Sequence, residues 1–148
     1  MRPDLGVLAA SYRELIDYAA LRDISLLIEN YGWLASDPLA IPDIIEKVGQ
    51  GLAAQPDTGN WSDNEVRYAG LAKAFPHAAS CDFKARSLGP EGTHEAYDLK
   101  RCFDIGWDAG FRGPWCFEYF HDNLNGLYRD LGKLRDKLRG WIAARQRS

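Results

Sequence analysis

"LLIEN", Leu26 to Asn30, is three apolar residues followed by a carboxylate and an amide. A buried strand gains nothing from a charge at its tip unless the tip faces something polar. The pattern returns in "CFEYF", Cys116 to Phe120, where Glu118 ends a second apolar run. Two strand-ending glutamates predict a site to which several strands contribute. Working outward, short β runs alternate with helical periodicity. The β runs are "ISLLIE" (24–29), "GLAAQPD" (51–57), "HAASCDFKA" (77–85) and "GPWCFEY" (113–119). Leu8, Tyr12, Leu15, Ile16 and Ala19 recur at helical spacing and predict a leading helix over about 5–22. Pro38 opens a second helix that Gly49 can end. Ser62 with Glu65 is a capping-box pattern for a helix over 63–74. A loop with Gly and Pro, "RSLGPEGTHEA" (86–96), precedes a helix over about 98–109, and a long helix over about 124–144 closes the chain.

The order is one helix followed by four βα units. Such alternation implies an α/β fold with parallel strands and right-handed crossovers. The expectation is one four-stranded parallel sheet, strands in sequential order, helices on its outer face.

The 148 residues predict a single domain spanning 1–148. Hydrophobic content of 46% and charged content of 26% suit a chain that buries a core. A net charge of −3 gives no electrostatic case for nucleic acid. No run of about 18 apolar residues is present, so no membrane span is expected. The N-terminal apolar stretch is broken by Arg13 and Glu14, unlike a signal peptide. Cys81, Cys102 and Cys116 are odd in number and lack CxxC or zinc spacing, which predicts a reduced, cytoplasmic protein. Cys81 and Cys116 are expected to be buried strand residues.

In parallel α/β folds, ligands bind beyond the C-terminal ends of the strands. Those ends carry Glu29 and Asn30, then Asp57 with Asn60, then Asp82 and Lys84, then Glu118. Period-2 alternation puts Asp82 and Lys84 on one face. Grouped carboxylates repel unless a cation lies among them. A divalent metal with oxygen ligands resolves the repulsion.

"LLIEN", "PDTGNW", "DFKAR" and "GFRGPWCFEYF" together resemble the C-terminal half of the xylose isomerase-like TIM-barrel superfamily, over about residues 5–145. That group holds sugar and sugar-phosphate isomerases and epimerases, with endonuclease IV as a distant relative. The resemblance implies a (βα)4 half of a TIM barrel preceded by one helix. It implies a divalent metal at Glu29, Asp57, Asp82 and Glu118, and a sugar or sugar phosphate as substrate. Glu29 and Glu118 would form the acid/base pair that moves a proton next to a carbonyl, with Lys84 beside them. The family usually shows His-x-Lys on the third of these strands; here Asp82 stands in the place of the histidine. An all-carboxylate set favours Mg or Mn over Zn.

Asn30, Asn60, Arg86 and His121 are the expected substrate contacts. His121, three residues after Glu118, is also placed to replace the missing histidine ligand. His94 lies in the loop, and His77 lies at the wrong end of its strand. Trp33, Trp61 and Trp115 are expected in packing before sugar stacking.

A whole barrel needs eight such units and typically ~250 residues. Four units leave two strand edges and an inner face open. The chain is therefore expected to be a homo-oligomer or to lack an N-terminal half. In a closed pair the leading helix would stand where the partner's last helix belongs, so displacement, swapping or imperfect closure is expected. The alternative to an isomerase or epimerase is a non-catalytic half barrel that acts as an assembly or binding module. A DNA-repair reading is disfavoured by three histidines and the acidic balance.

Overall fold

The computed structural model describes residues 4–89, 91–121 and 123–147, so Pro90 of the expected loop and both chain ends lie outside the described residues. The element order is α1 (Leu5–Ala20), β1 (Leu26–Glu29), α2 (Ala40–Val48), β2 (Leu52–Gln55), α3 (Asn64–Ala74), β3 (Cys81–Arg86), α4 (Leu99–Asp108), β4 (Trp115–Phe120) and α5 (Leu124–Arg147). Short 3-10 turns lie at Gly32–Ser36 and Phe75–His77. The fold is α/β with parallel strands, consistent with half of a TIM barrel behind one leading helix.

Two local expectations are corrected. Pro38 does not open α2. Asp37 Oδ1 accepts from Leu39 N at 3.0 Å, and the helix begins at Ala40. Nor is Ser62 the cap of α3. Asp63, in extended backbone, accepts from Val66 N at 2.8 Å, and a carboxylate at a helix N-terminus gains from the dipole as well.

The four strands do not form one continuous sheet. β1 pairs with β2 and β3 with β4, each in parallel. Between β2 and β3 only isolated parallel bridges remain, Ala54 with Ala78 and Asp57 with Asp82. Two residues lie between the bridges on one side and three on the other, so the β3 side carries one extra residue, as in a bulge. Pro56 falls between the bridges and has no N–H to give. Its carbonyl accepts from Asp82 N at 3.0 Å, and Thr58 N donates to Asp82 O at 2.9 Å. The strand order is therefore sequential, with a break at its centre.

Alternation along the strands separates two faces. Outward-pointing Ile28, Leu52 and Ala54 are buried with Ala9 of α1 and Ile41, Ile44 and Val48 of α2. Outward-pointing Cys81, Phe83 and Ala85 are fully buried with Leu71 of α3, Leu99, Cys102 and Phe103 of α4, and Leu134 and Leu138 of α5. The inner face carries Leu27 and Glu29, Ala53 and Gln55, Asp82 and Lys84, and Cys116, Glu118 and Phe120. Cys81 is buried as expected, but Cys116 is exposed. It lies on the inner face of the last strand, which nothing described in this chain covers; Phe120 on the same face is 51% exposed. The leading helix packs on α2, with Arg13 Nε donating to Val48 O at 3.0 Å and Ile16 against Gly51. Among the described residues no helix is long and apolar enough to cross a membrane.

Candidate metal centre

Glu29 ends β1, Asp57 follows β2, Asp82 lies on β3 and Glu118 on β4. One oxygen from each of the four lies within 4.8 Å of all the others. Alternation aims each carboxylate at the inner face, and the bulge beside Pro56 brings Asp82 level with Asp57.

Asp57 and Glu118 share a partner in Lys84, and an amide holds each of Glu29 and Asp82. Asp57 is fully buried. Its Oδ1 accepts from Gly59 N at 2.5 Å and Asn60 N at 2.9 Å, and its Oδ2 lies 3.3 Å from Lys84 Nζ. Glu118 Oε1 lies 2.8 Å from the same ammonium. Asn60 bridges the cluster: its Nδ2 donates to Glu29 Oε1 at 2.7 Å, and its Oδ1 accepts from Lys84 Nζ at 2.8 Å. Gln55 Nε2 donates to Asp82 Oδ2 at 2.6 Å.

Lys84 is fixed from behind. Its N–H donates to Thr58 Oγ1 at 2.9 Å, and its carbonyl accepts from Tyr97 Oη at 2.5 Å. Gly59 makes room for it: a Cβ at this position would lie 2.6 Å from Lys84 Cδ and 2.9 Å from Tyr97 Oη. The glycine of "PDTGNW" thus serves close approach.

The electrostatics follow from this crowding. Burial pushes the Asp57 carboxyl up to about 7, against its bond from Gly59 and the charge of Lys84. Burial, then Asp82 and Glu118, raise Glu29 above the usual carboxylate range. Burial works against the Lys84 ammonium, but Glu118 and Asp57 outweigh it and hold its pKa above that of an ordinary lysine. Lys84 therefore stays charged. It is nearer to Glu118 than to Asp57, and so compensates Asp57 less. One ammonium does not balance four carboxylates. The surplus of negative charge and the purely oxygen donor set fit a hard divalent cation.

Other expected site residues fall elsewhere. Asn30 is fully buried and clamps Asp57 through the backbone: Asp57 N donates to Asn30 Oδ1 at 2.7 Å, and Asn30 Nδ2 donates to Asp57 O at 3.0 Å. It ties the ends of β1 and β2 together. His121 does not join the cluster; its Nε2 lies 3.9 Å from Asp130 of α5, and its Nδ1 accepts from Asn123 N at 2.9 Å. Arg86 is exposed at the tip of β3, its guanidinium 5.2 Å from the centre of the Phe120 ring. His94 accepts from Arg86 N at 3.2 Å through Nε2. Trp61 is buried and donates to Asp57 O at 2.9 Å, so it packs.

Gln55, Thr58, Tyr97 and Arg67 were not anticipated. Gln55 was within reach, since alternation puts it on the same face as Asp57. Arg67 is buried on α3, with its Nε donating to Thr58 O at 2.8 Å and its guanidinium 4.0 Å from the centre of the Tyr97 ring. No local pattern marks such a contact.

No family model matches the chain, and no curated protein matches it. Among solved structures, the chain is similar to an L-ribulose 3-epimerase, with a TM-score of 0.58 and 18% identity over 89% of this chain and 48% of that one. The chain spans about half the length of that enzyme, and at this identity the likeness carries the fold alone: a parallel α/β half barrel with a leading helix.

Proposed function

We propose that the chain is the metal-holding half of a sugar or sugar-phosphate isomerase or epimerase, which moves a proton on the carbon next to a carbonyl. The observation that carries this reading is the convergence of four carboxylates around one lysine: Glu29 at the end of β1, Asp57 just beyond β2, Asp82 at the start of β3 and Glu118 within β4. The likeness to a sugar epimerase supports it. Glu29, Asp57, Asp82 and Glu118 would hold the metal, Mn or Mg before Zn. A divalent cation bound there would polarise the substrate carbonyl and acidify the neighbouring C–H.

The chain's own residues supply the proton chemistry. Glu29, at the end of β1 and oriented by Asn60, is suited to take a proton from carbon and return it. Glu118, bonded to Lys84, is the second carboxylate of the pair. The Lys84 ammonium is placed to hold a substrate oxygen against the cluster, and Asn60 orients Glu29 and Lys84 together. Arg86, exposed at the mouth, is the proposed contact for a phosphate. The open inner face needs the other half of a barrel, from an N-terminal portion or a second copy. α1 keeps its place on α2, so a closed pair of copies would be imperfect at that seam. The three free thiols fit a cytoplasmic setting.

One observation favours the second reading, a non-catalytic binding module: Lys84 already supplies a cation to Asp57 and Glu118. The test is proton exchange. With Mn²⁺ in D₂O, ketoses, aldoses and their phosphates should lose the C–H signal next to the carbonyl. Glu118→Gln should slow that loss at least ~10²-fold. A folded protein that binds Mn²⁺ and exchanges no proton with any sugar would favour the binding module.

A further inference from the structure

We infer that Lys84 is a built-in rival of the metal: its ammonium holds Asp57 Oδ2 and one of the two Glu118 oxygens, so a divalent ion must displace it before Asp57 can bind. The inference rests on the metal reading of the cluster given above.

Asp57 decides the matter. Its Oδ1 is committed to two backbone N–H groups, Gly59 at 2.5 Å and Asn60 at 2.9 Å. Those donors belong to the turn that follows β2 and move only with it. The oxygen left for a metal is Oδ2, which Lys84 holds at 3.3 Å. Lys84 also holds Glu118 Oε1 at 2.8 Å. The two carboxylates that do not touch Lys84 are already placed: Asn60 and Gln55 each take one oxygen of Glu29 and Asp82 and leave the other. Half of the ligand set is thus preorganised, and half is bonded to a lysine.

A monocation and a dication sharing these oxygens would repel at short range. The same geometry gives Lys84 somewhere to go. Asn60 Oδ1 accepts from its Nζ at 2.8 Å, and the Phe120 ring centre lies 5.2 Å away. The ammonium can keep the amide and the ring while releasing both carboxylates. Metal loading would then free a charged donor at the moment the site becomes competent to hold a substrate oxygen.

The experiment is Mn²⁺ binding to the full chain, followed by the electron spin resonance of free Mn²⁺, for wild type and Lys84→Met. The expected result is at least tenfold tighter binding by Lys84→Met. Equal or weaker binding by the variant, with measurable binding by wild type, overturns the rivalry and leaves the metal reading standing. No binding by either protein, in samples folded by circular dichroism, overturns both. A second measurement uses wild type alone and does not depend on the variant folding. Trace acetylation of Lys84, read by mass spectrometry, should rise severalfold on adding Mn²⁺ while exposed lysines such as Lys73 stay constant. An unchanged Lys84 rate at saturating Mn²⁺ would show that the ammonium never leaves its carboxylates.

Discussion

The outer and inner faces of the same four strands are built on opposite principles. Outward, Ile28, Leu52, Ala54, Cys81, Phe83 and Ala85 are all buried under helices and paired with nothing polar. Inward, one residue away along each strand, stand three carboxylates, an amide and a lysine, joined just beyond β2 by a fourth carboxylate. Hydrophobic burial on one face holds the strands at a spacing that would otherwise drive the carboxylates on the other apart. Stability is concentrated outside, and charge that favours a cation is concentrated inside. Substitutions on the two faces should therefore be separable.

The largest effect is expected outside. Phe83 is fully buried, with its ring 5.5 Å from Trp115 and 6.4 Å from Trp141, each edge-on. Phe83→Ala should cost about 3–5 kcal/mol in urea unfolding. A loss under 1 kcal/mol would mean that the outer face does not carry the fold. Next comes the seam between the faces. Asn30→Ala leaves the buried N–H and C=O of Asp57 without their amide partner and should cost about 2–3 kcal/mol. A neutral result would return Asn30 to the substrate contacts that its position in the sequence suggested. Gly59→Ala should cost about 1–2 kcal/mol by overpacking against Lys84 and Tyr97, and should also weaken Mn²⁺ binding if Lys84 is pressed toward the carboxylates.

The remaining effect is a slope with pH. The folded-state pKa of Asp57 is about 7 against an ordinary 3.8, so the folded protein retains a proton that the unfolded chain has lost. Folding stability without metal should therefore fall as pH rises from about 4 to about 7, and level off above that. Asp57→Asn should flatten the fall. A stability that rises over this interval in the wild type would show that Lys84 compensates Asp57 more fully than its 3.3 Å separation implies.

The division between faces was legible in the sequence wherever one strand suffices to set it. Short apolar runs ending in Glu29 or Glu118 fix both the strand and the side its last residue faces, because the side-chain period is two. Asp82 and Lys84 share a face for the same reason. What depends on relations between strands was not legible. The extra residue between Ala78 and Asp82 interrupts the sheet without any local mark except Pro56 across from it. His121 lies three residues beyond Glu118, yet its partner is Asp130, placed by the packing of α5. Cys116 reads as a core residue because a strand of that composition is normally covered; here the cover is not supplied by the described residues of this chain.

The central claim is that the carboxylates of the inner face bind a divalent cation. Its most direct test is the melting temperature of the metal-free protein, with and without Mn²⁺, for wild type and Glu118→Gln. A ligand that binds only the folded state stabilises by about 2.7 kcal/mol at a hundredfold excess over its Kd. Wild type should therefore melt several degrees higher with Mn²⁺, and Glu118→Gln, which keeps the shape and removes one charge, should lose that rise. A wild type indifferent to Mn²⁺, or an equal rise in Glu118→Gln, would contradict the account.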